Sequence, residues 1–585
     1  MATLLAVSTV AFGGTVSPQI SSLNPNAQVQ VIVVRNPSLA GGLLKPVCST
    51  LEMIELLPLG ELCTMSAGGA MTLAQDPAVA HISVNNTLQG TGSALPVYDY
   101  TPQTIQPTSA GAASTNPDAG RGIGVAVVDS GIHINKDLIG NGSGGFLSSL
   151  FPQVFYAESF VPSEGVDDYY GHGTHVAGII AGNGVNSAGP AYLYNIHGIA
   201  PGAHLISLKV LDRNGQSTDA EVIKAIDRAI QLRDIFNIKV INLSLGRPVF
   251  ESYKTDPLCQ EVEKAWRNGI TVVVAAGNGG RDNAANTHGY GTIAAPGNDP
   301  LVLTVGAMNT EGTPARADDL MTTYSSKGPS LIDHVVKPDI VAPGNRLFSI
   351  LDPGGTLETT EPGNVVPVAA YVKSPSILQS SNYFILSGTS MAAGVTSGAV
   401  AALLGKQNLT PDQVKARLMK TAGKNFPRTS VIADPTTGQT FTVQYDLFTV
   451  GAGYLNLDAA LASHDIIPPN RNAASPIAVP GETDSSGQTP VYISNDSSQS
   501  TVWGSSTVWG SSTVWGSTAV WGASVWTGNS TVWGSTVVWG SSTVWGSSAD
   551  AGYSTVWGSS TVWGSSTVWG SSTVWGSSTD PDGGN

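Results

Sequence analysis

Apolar-rich runs of strand length recur through the middle of this chain, at residues 123–128 (IGVAVV), 205–210 (LISLKV), 240–245 (VINLSL), 271–275 (TVVVA) and 301–305 (LVLTV). A strand with one face in water alternates apolar and polar residues. Runs this continuous suit strands covered on both faces, as in a parallel sheet. Between them the period changes to that of a helix. Thr218 and Glu221 form a capping box ahead of Val222, Ile223, Ile226, Ala229 and Ile230. Asp256, Pro257 and Gly269 bracket a second helix, and Thr410, Pro411 and Gln413 open a third before Val414 and Leu418. This β-α-β-α rhythm predicts an α/β domain with a mainly parallel sheet.

The flanks follow other patterns. Residues 28–90 read as a small α+β unit, with a strand at 29–34 (VQVIVV), mixed apolar segments around 51–57 and 71–73, and a closing strand at 79–84 (VAHISV). A Pro, Ser, Thr, Ala and Gly mixture over residues 91–119 predicts an exposed linker, and the Pro- and Asn-rich residues 466–500 predict another. From 501 to 579 a hexapeptide, STVWGS, repeats with small variations ahead of an acidic terminus at 580–585. In an extended repeat, Thr and Trp face one side and Val the other, and an even period keeps each type on its side. That pattern predicts a regular β array. A flexible Gly- and Ser-rich stalk is the other reading. Either presents aromatic faces to a glycan, cell-surface or protein partner.

Composition narrows the functional classes. Only 12% of residues are charged and the net charge is −15, with no Lys- or Arg-rich run. An electrostatic grip on nucleic acid or anionic lipid is therefore not expected. No stretch approaches the ~18 apolar residues of a membrane span, which predicts a soluble mature chain. Residues 3–12 (TLLAVSTVAF), within an N-terminal segment at 1–27, resemble the core of a signal peptide, but the first basic residue is Arg35. Three cysteines, Cys48, Cys63 and Cys259, do not make a disulfide framework and leave the redox compartment open.

Three short segments carry candidate chemistry. Asp129 directly follows the strand at 123–128, at the carboxyl end where open α/β sheets bind ligands. A turn or cap role is the alternative for a strand-end aspartate. His172 and His175 stand three apart in YGHGTHVAG, readable as a packed helix start or as a metal pair lacking further ligands. Ser390 lies in SGTSMAAG at the start of a small-residue helix, where a serine is either a cap or a nucleophile favoured by the helix field.

Taken together, VVDSG, GHGTHVAG and SGTSMAA, in the order Asp, His, Ser, resemble the signature segments of the subtilisin-like serine proteases. NLSLG at 242–246, AAGN at 275–278, SSKGP at 325–329 and PDIVAPG at 338–344 extend the resemblance over residues 120–465. It implies a subtilisin-like three-layer fold and a secreted endopeptidase acting through an acyl-enzyme. Ser390 is then the nucleophile, His172 the general base, Asp129 its orienting partner and Asn278 the oxyanion donor. Ser244, Leu245 and Gly246 would pair with the substrate backbone, Gly215 and Ser217 would form the opposite edge, and Ala275 and Gly277 would line the same cleft. His175 becomes a structural neighbour.

The resemblance also implies that residues 28–90 are an inhibitory, ferredoxin-like propeptide removed by self-cleavage between about 87 and 115. Polypeptides are the implied substrates, the chain's own propeptide its inhibitor, and a monomer the expected state. A surface-binding repeat protein whose protease domain serves processing is the competing function. Gly394 stands where the family usually has proline. No cofactor is implied for the chemistry, and structural calcium has weak support: the loop at 183–195 carries no carboxylate, and Asp137 is either one ligand or an exposed turn residue.

Overall fold

The computed structural model describes residues 14–36, 48, 53–89, 101–106, 116–140, 152–282, 287–376, 379–427, 429–433, 439–465, 472–480, 489–494 and 519–521. The signal-like segment at 3–12 and the repeats, apart from 519–521, lie outside the described residues.

The N-terminal unit is a sheet of β1 (Thr15–Val16), β2 (Gln28–Arg35), β3 (Met53–Leu57), β4 (Gly60–Ser66) and β5 (Val79–Val84), in the order β1-β5-β2-β4-β3. Short helices α1 (Pro18–Ser21) and α2 (Ala67–Leu73) join Val31, Val33, Cys63 and Ile82 in one core. The alternate residues Ile32, Val34 and Leu62 belong to a second core shared with the large domain. The small sheet therefore buries both faces only while docked. Cys48 and Cys63 form a disulfide. Closing a loop of that length stabilises a small unit by about 3 kcal/mol.

The large domain is built on parallel strands: β7 (Gly124–Asp129), β8 (Val154–Ser159), β9 (His204–Lys209), β11 (Ile238–Leu243), β12 (Thr271–Ala275), β13 (Leu303–Asn309) and β15 (Ile340–Pro343). Their order in space is β8-β9-β7-β11-β12-β13-β15, with β14 (Leu320–Met321) antiparallel to β13. Shorter strands outside that sheet include β6 (Thr87–Gln89), β10 (Gln216–Thr218), β16 (Leu347–Ile350) and β17 (Tyr383–Leu386). Helix α3 spans Thr101–Ile105, α4 His172–Ala181, α5 Asp219–Leu232, α6 Pro257–Arg267, α7 Thr389–Leu404 and α8 Pro411–Thr421.

Alternation within the buried strands assigns the helices to layers. Ala126, Val128, Ile241 and Leu243 face Val222 and Ile226 of α5 and Val262 and Trp266 of α6. Val125, Val127, Val240 and Val273 face Val176 and Ile180 of α4 and Ala392 and Val395 of α7. The result is a three-layer α/β domain. Its starts are those the sequence marks: capping boxes at Thr218 with Glu221 and at Thr410 with Gln413, and an Asp256 side chain that accepts the Leu258 N–H. Helix α7 is buried from Thr389 to Leu403, and small residues make that possible. A Cβ on Gly398 would lie 2.7 Å from the Ile199 Cβ. Gly394 sits inside this helix, packed against Ile179 and Val176.

Three expectations differ from what is observed. Within the expected linker at 91–119, α3 is built into the large domain: Ile105 is buried in its core and Arg316 Nε donates to the Thr104 carbonyl at 2.6 Å. Within the expected linker at 466–500, residues 472–480 are also part of the body. Ala473 and Ala478 are buried, and Ser475 joins a solvent-free cluster, donating to Asp339 at 2.5 Å and accepting from Lys415 at 2.9 Å. Strand Ile477–Pro480 pairs with Thr489–Ser494, on which Ala519–Trp521 forms a third antiparallel strand.

The third difference is Asp137, which is buried rather than an exposed turn residue. Its Oδ1 accepts the Asn186 N–H at 2.7 Å and its Oδ2 the Tyr383 hydroxyl at 2.8 Å. Each oxygen thus accepts one hydrogen bond from a residue distant in sequence. Among the described residues, the one cluster with metal-ligating spacing is Cys48, Glu61 and Cys63, whose two sulfurs are bonded to each other. No helix among the described residues is long and apolar enough to cross a membrane.

Candidate active site

Parallel strands β7 and β11 are neighbours, with Val128 opposite Leu243, so the residues that follow both strands share one edge of the sheet. Asp129 ends β7, fully buried. Its Oδ1 accepts the Ser130 N–H at 2.8 Å and lies 2.8 Å from His172 Nδ1, with Oδ2 at 3.1 Å. A carboxylate facing Nδ1 selects the tautomer with the proton on Nδ1, which leaves the lone pair on Nε2. His172 Nε2 is buried and makes no hydrogen bond.

Ser244 follows β11 and holds Ser390 at the start of α7. The Ser390 hydroxyl donates to the Ser244 carbonyl at 3.0 Å, and the Ser244 hydroxyl donates to the Ser390 carbonyl at 2.8 Å. Asn242 Nδ2 bonds Ser244 Oγ at 2.8 Å, and the Ser397 hydroxyl bonds Asn242 Oδ1 at 2.9 Å, tying α7 to β11. In this resting arrangement the serine hydroxyl is turned to a carbonyl, and general-base contacts commonly tighten only with substrate bound. The first turn of α7 supplies backbone N–H groups that favour negative charge at Ser390.

Asn278 lies just past β12. Its Oδ1 accepts from the Thr389 N–H and the Thr389 hydroxyl, both at 3.0 Å. That pairing fixes the carbonyl end of the amide toward α7 and makes the opposite end a hydrogen-bond donor beside Ser390. Gly277 reaches this position at φ 103°, where a Cβ would lie 2.9 Å from Ser326 Oγ.

Ser390, Asn278, Leu245, Gly246, Ala275 and Gly277 line one cavity of about 310 Å³. The sequence reading missed its outer walls, Val249, Ile293, Ala294 and Leu331. Ala294 could have been suspected from its place two residues before the Pro296–Gly297 turn; Leu331 carried no signal. Arg247 also lines the cavity, yet its guanidinium is held by Asp219 and Asp256 at 2.8 Å each. The wall is therefore not a free cationic surface. Ser244, expected on the substrate edge, spends its carbonyl and hydroxyl on Ser390. Gly215 and Ser217 lie on or beside β10, whose edge is taken by β6 in antiparallel pairing, Ser217 opposite Leu88. Gly215 adopts φ 72°, and the Tyr170 ring sits 2.5 Å from where its Cβ would stand.

The two histidines have opposite environments. Burial lowers the His172 pKa, but the charge and hydrogen bond of Asp129, with a further contribution from Asp168, more than offset it and hold the imidazolium above its ordinary range. His175 is pushed down to about 3, chiefly by burial and then by His172, while its Nε2 contacts the Leu347 and Phe384 carbonyls. It is a neutral core histidine whose Nε2 faces backbone carbonyls.

If the Asn278 amide stabilises a developing oxyanion, Asn278→Ala will lower kcat about 100- to 1,000-fold, the cost of one such donor in subtilisin. Steady-state kinetics on a peptide ester or anilide will show the loss in kcat, with KM little changed.

The model of the "Subtilase family" matches residues 120–453. Serine protease AprX of Bacillus subtilis (strain 168) is 36% identical over 312 residues, covering 52% of this chain and 62% of AprX. Subtilisin E of the same organism is 32% identical over 362 residues, covering 61% of this chain and 74% of the relative. Subtilisin of Bacillus pumilus is 34% identical over 324 residues, covering 55% and 91%. The chain thus spans from somewhat under two thirds to nine tenths of these relatives' lengths.

Proposed function

This chain belongs to the subtilase family, and on that premise we propose that it is a secreted serine endopeptidase that hydrolyses polypeptides through Ser390, His172 and Asp129. The observation that carries the reading is the buried Asp129–His172 pair, with its Nε2 lone pair available, at the same sheet edge as Ser390 and Asn278.

The chemistry follows from the atoms. The Ser390 hydroxyl turns from the Ser244 carbonyl to His172 Nε2, which takes its proton as Oγ adds to the scissile carbonyl. The new oxyanion is met by the Asn278 side-chain amide and the Ser390 backbone N–H. His172 then gives the proton to the leaving amine, and the acyl-enzyme is hydrolysed by a water that the same imidazole deprotonates. Asp129 keeps the imidazole in its tautomer and stabilises it when charged.

The N-terminal unit is read as an intramolecular inhibitor. On β5, His81 and Ser83 both bond the buried carboxylate of Glu251 on the large domain. Asn86 N–H bonds Asp219 at 3.1 Å, and Asn85 Oδ1 accepts the Ala220 N–H at 3.0 Å at the start of α5. Strand β6 then pairs with β10, Leu88 opposite Ser217. Since α3 is part of the large domain, self-cleavage is placed within residues 90–100. Peptide mapping of secreted protein is expected to find the mature N-terminus there; a start beyond residue 106 would contradict this placement. The Cys48–Cys63 disulfide fits an oxidising, extracytoplasmic compartment.

A further inference from the structure

A second buried carboxylate, at the turn that opens the His172 helix, is not used by the triad chemistry. Asp168 is four residues before His172 and 3% exposed. Helix α4 begins at His172 with Gly171 as its N-cap, at φ 101° and with no side chain to cap the turn. Asp168 supplies what Gly171 lacks. Its Oδ1 accepts the Tyr170 and Gly171 N–H groups at 3.0 and 2.8 Å. Its Oδ2 accepts the Thr174 N–H at 2.9 Å and the Thr174 hydroxyl at 2.7 Å. Four donors from one turn converge on this side chain, where the backbone N–H groups of a helix start otherwise go unpaired.

The same turn is tied to the strand that carries Asp129. Gly173 N–H donates to Ser130 Oγ at 2.8 Å, and Thr174 Oγ1 accepts the His133 N–H at 2.9 Å. A Cβ on Gly173 would lie 2.2 Å from the Gly131 carbonyl oxygen, so the two segments touch with no slack. The position of the imidazole relative to Asp129 therefore depends on a contact that Asp168 completes.

We propose that Asp168 is a positioning residue for His172: it fixes the turn that carries the imidazole and adds a second negative charge to that of Asp129 when the imidazolium forms. This rests on the endopeptidase reading above. The charged and titratable groups facing His172 are Asp129 at the end of β7, Asp168 before α4, His175 one turn on, and Tyr170, whose ring centre is 6.4 Å away. Asp352 lies next to Asp168 in turn, and is itself faced by Asp167, Glu358 and Lys209. The neighbouring carboxyl of Asp352 is pushed up to about 8 by burial and then by Asp168, Asp167 and Glu358, and its Oδ2 is buried without a partner. Burial raises Asp168 too, and its donors offset only part of that rise. Of the two buried carboxyls, Asp168 is the one whose oxygens are both met by donors, the arrangement that favours the ionised form.

The test uses the secreted mature enzyme and the variants Asp168→Asn and Asp168→Glu, each normalised by active-site titration. Asparagine keeps the shape but turns an amide N–H₂ toward donors and removes the charge. Its kcat on a peptide anilide is expected to fall about 10- to 100-fold, as for a misplaced catalytic group. KM should stay within a factor of about two, since no substrate contact is lost. The acid limb of the kcat/KM profile should move to lower pH. Asp168→Glu keeps the charge while displacing the cap, so its kcat falls with the limb near the wild-type position. An unchanged kcat per titrated site, or a reduced kcat in the asparagine variant with the limb unmoved, would overturn the proposal. If the asparagine variant does not fold, the glutamate variant decides: unchanged kcat overturns it. Failure of the underlying reading is recognised separately, as absence of hydrolysis by the wild type.

Discussion

Ser390→Ala is expected to abolish peptide hydrolysis, with kcat falling on the order of a million-fold, the cost of removing the nucleophile in subtilisin. The alanine loses the hydroxyl that now donates to the Ser244 carbonyl and keeps everything else around it. The Ser244 hydroxyl still bonds the residue-390 carbonyl, and α7 remains buried along its length. The variant should therefore fold, and under the proposed self-processing within residues 90–100 it should retain its N-terminal unit. Two readouts check it: hydrolysis of casein or a peptide anilide, and the mass of the secreted chain. Wild type should appear processed and the variant full length. Equal hydrolysis by both would remove Ser390 from the chemistry.

The second large effect is expected at Asp129. Asp129→Asn preserves shape but replaces one acceptor oxygen with an N–H₂ facing His172 Nδ1. The imidazole must then present its lone pair to that amide and its proton at Nε2, the wrong tautomer to accept from Ser390. The corresponding change in a serine protease of unrelated fold lowers kcat about 10,000-fold. There is also a pH signature. Asp129 holds the His172 pKa above its ordinary value, and the neutral imidazole is the active base. Hydrolysis by the wild type therefore rises as pH passes through that elevated pKa. Without the Asp129 charge the pKa falls, so the residual activity of the variant should set in at lower pH. Rates measured across the acid limb, with activity normalised by titration, check both the magnitude and the direction.

The sheet and its helices were legible because the evidence for them is local. Strands covered on both faces cannot alternate, and VINLSL or TVVVA announces that burial within six residues; Thr218, Asp256 and Thr410 mark helix starts through side chains that bond within one turn. The candidate site was legible for a similar reason, since each member sits in its own short segment. What escaped depends on partners distant in sequence. Asp137 reads as a surface turn until Tyr383, 246 residues on, is folded against it. Residues 472–480 look like linker because Ala473, Ser475 and Ala478 have little hydrophobic signature; their burial is imposed by the Lys415 and Asp339 cluster. The Cys48–Cys63 bond joins two residues of the same small unit, 15 apart, and neither segment carries a local sign of the pairing. Asp168 did carry a signal: an aspartate shortly before a helix whose N-cap is glycine is a candidate surrogate cap.

The central claim is that Ser390, activated by His172, is the nucleophile. Its most direct test is reaction of the mature wild-type enzyme with an aryl sulfonyl fluoride, followed by intact mass and peptide mapping. The account expects one sulfonyl group per chain, located on Ser390, with loss of hydrolysis in proportion to labelling and no adduct in the Ser390→Ala or His172→Ala proteins. Full inactivation with the label on another residue, or undiminished hydrolysis once Ser390 is fully modified, would contradict it.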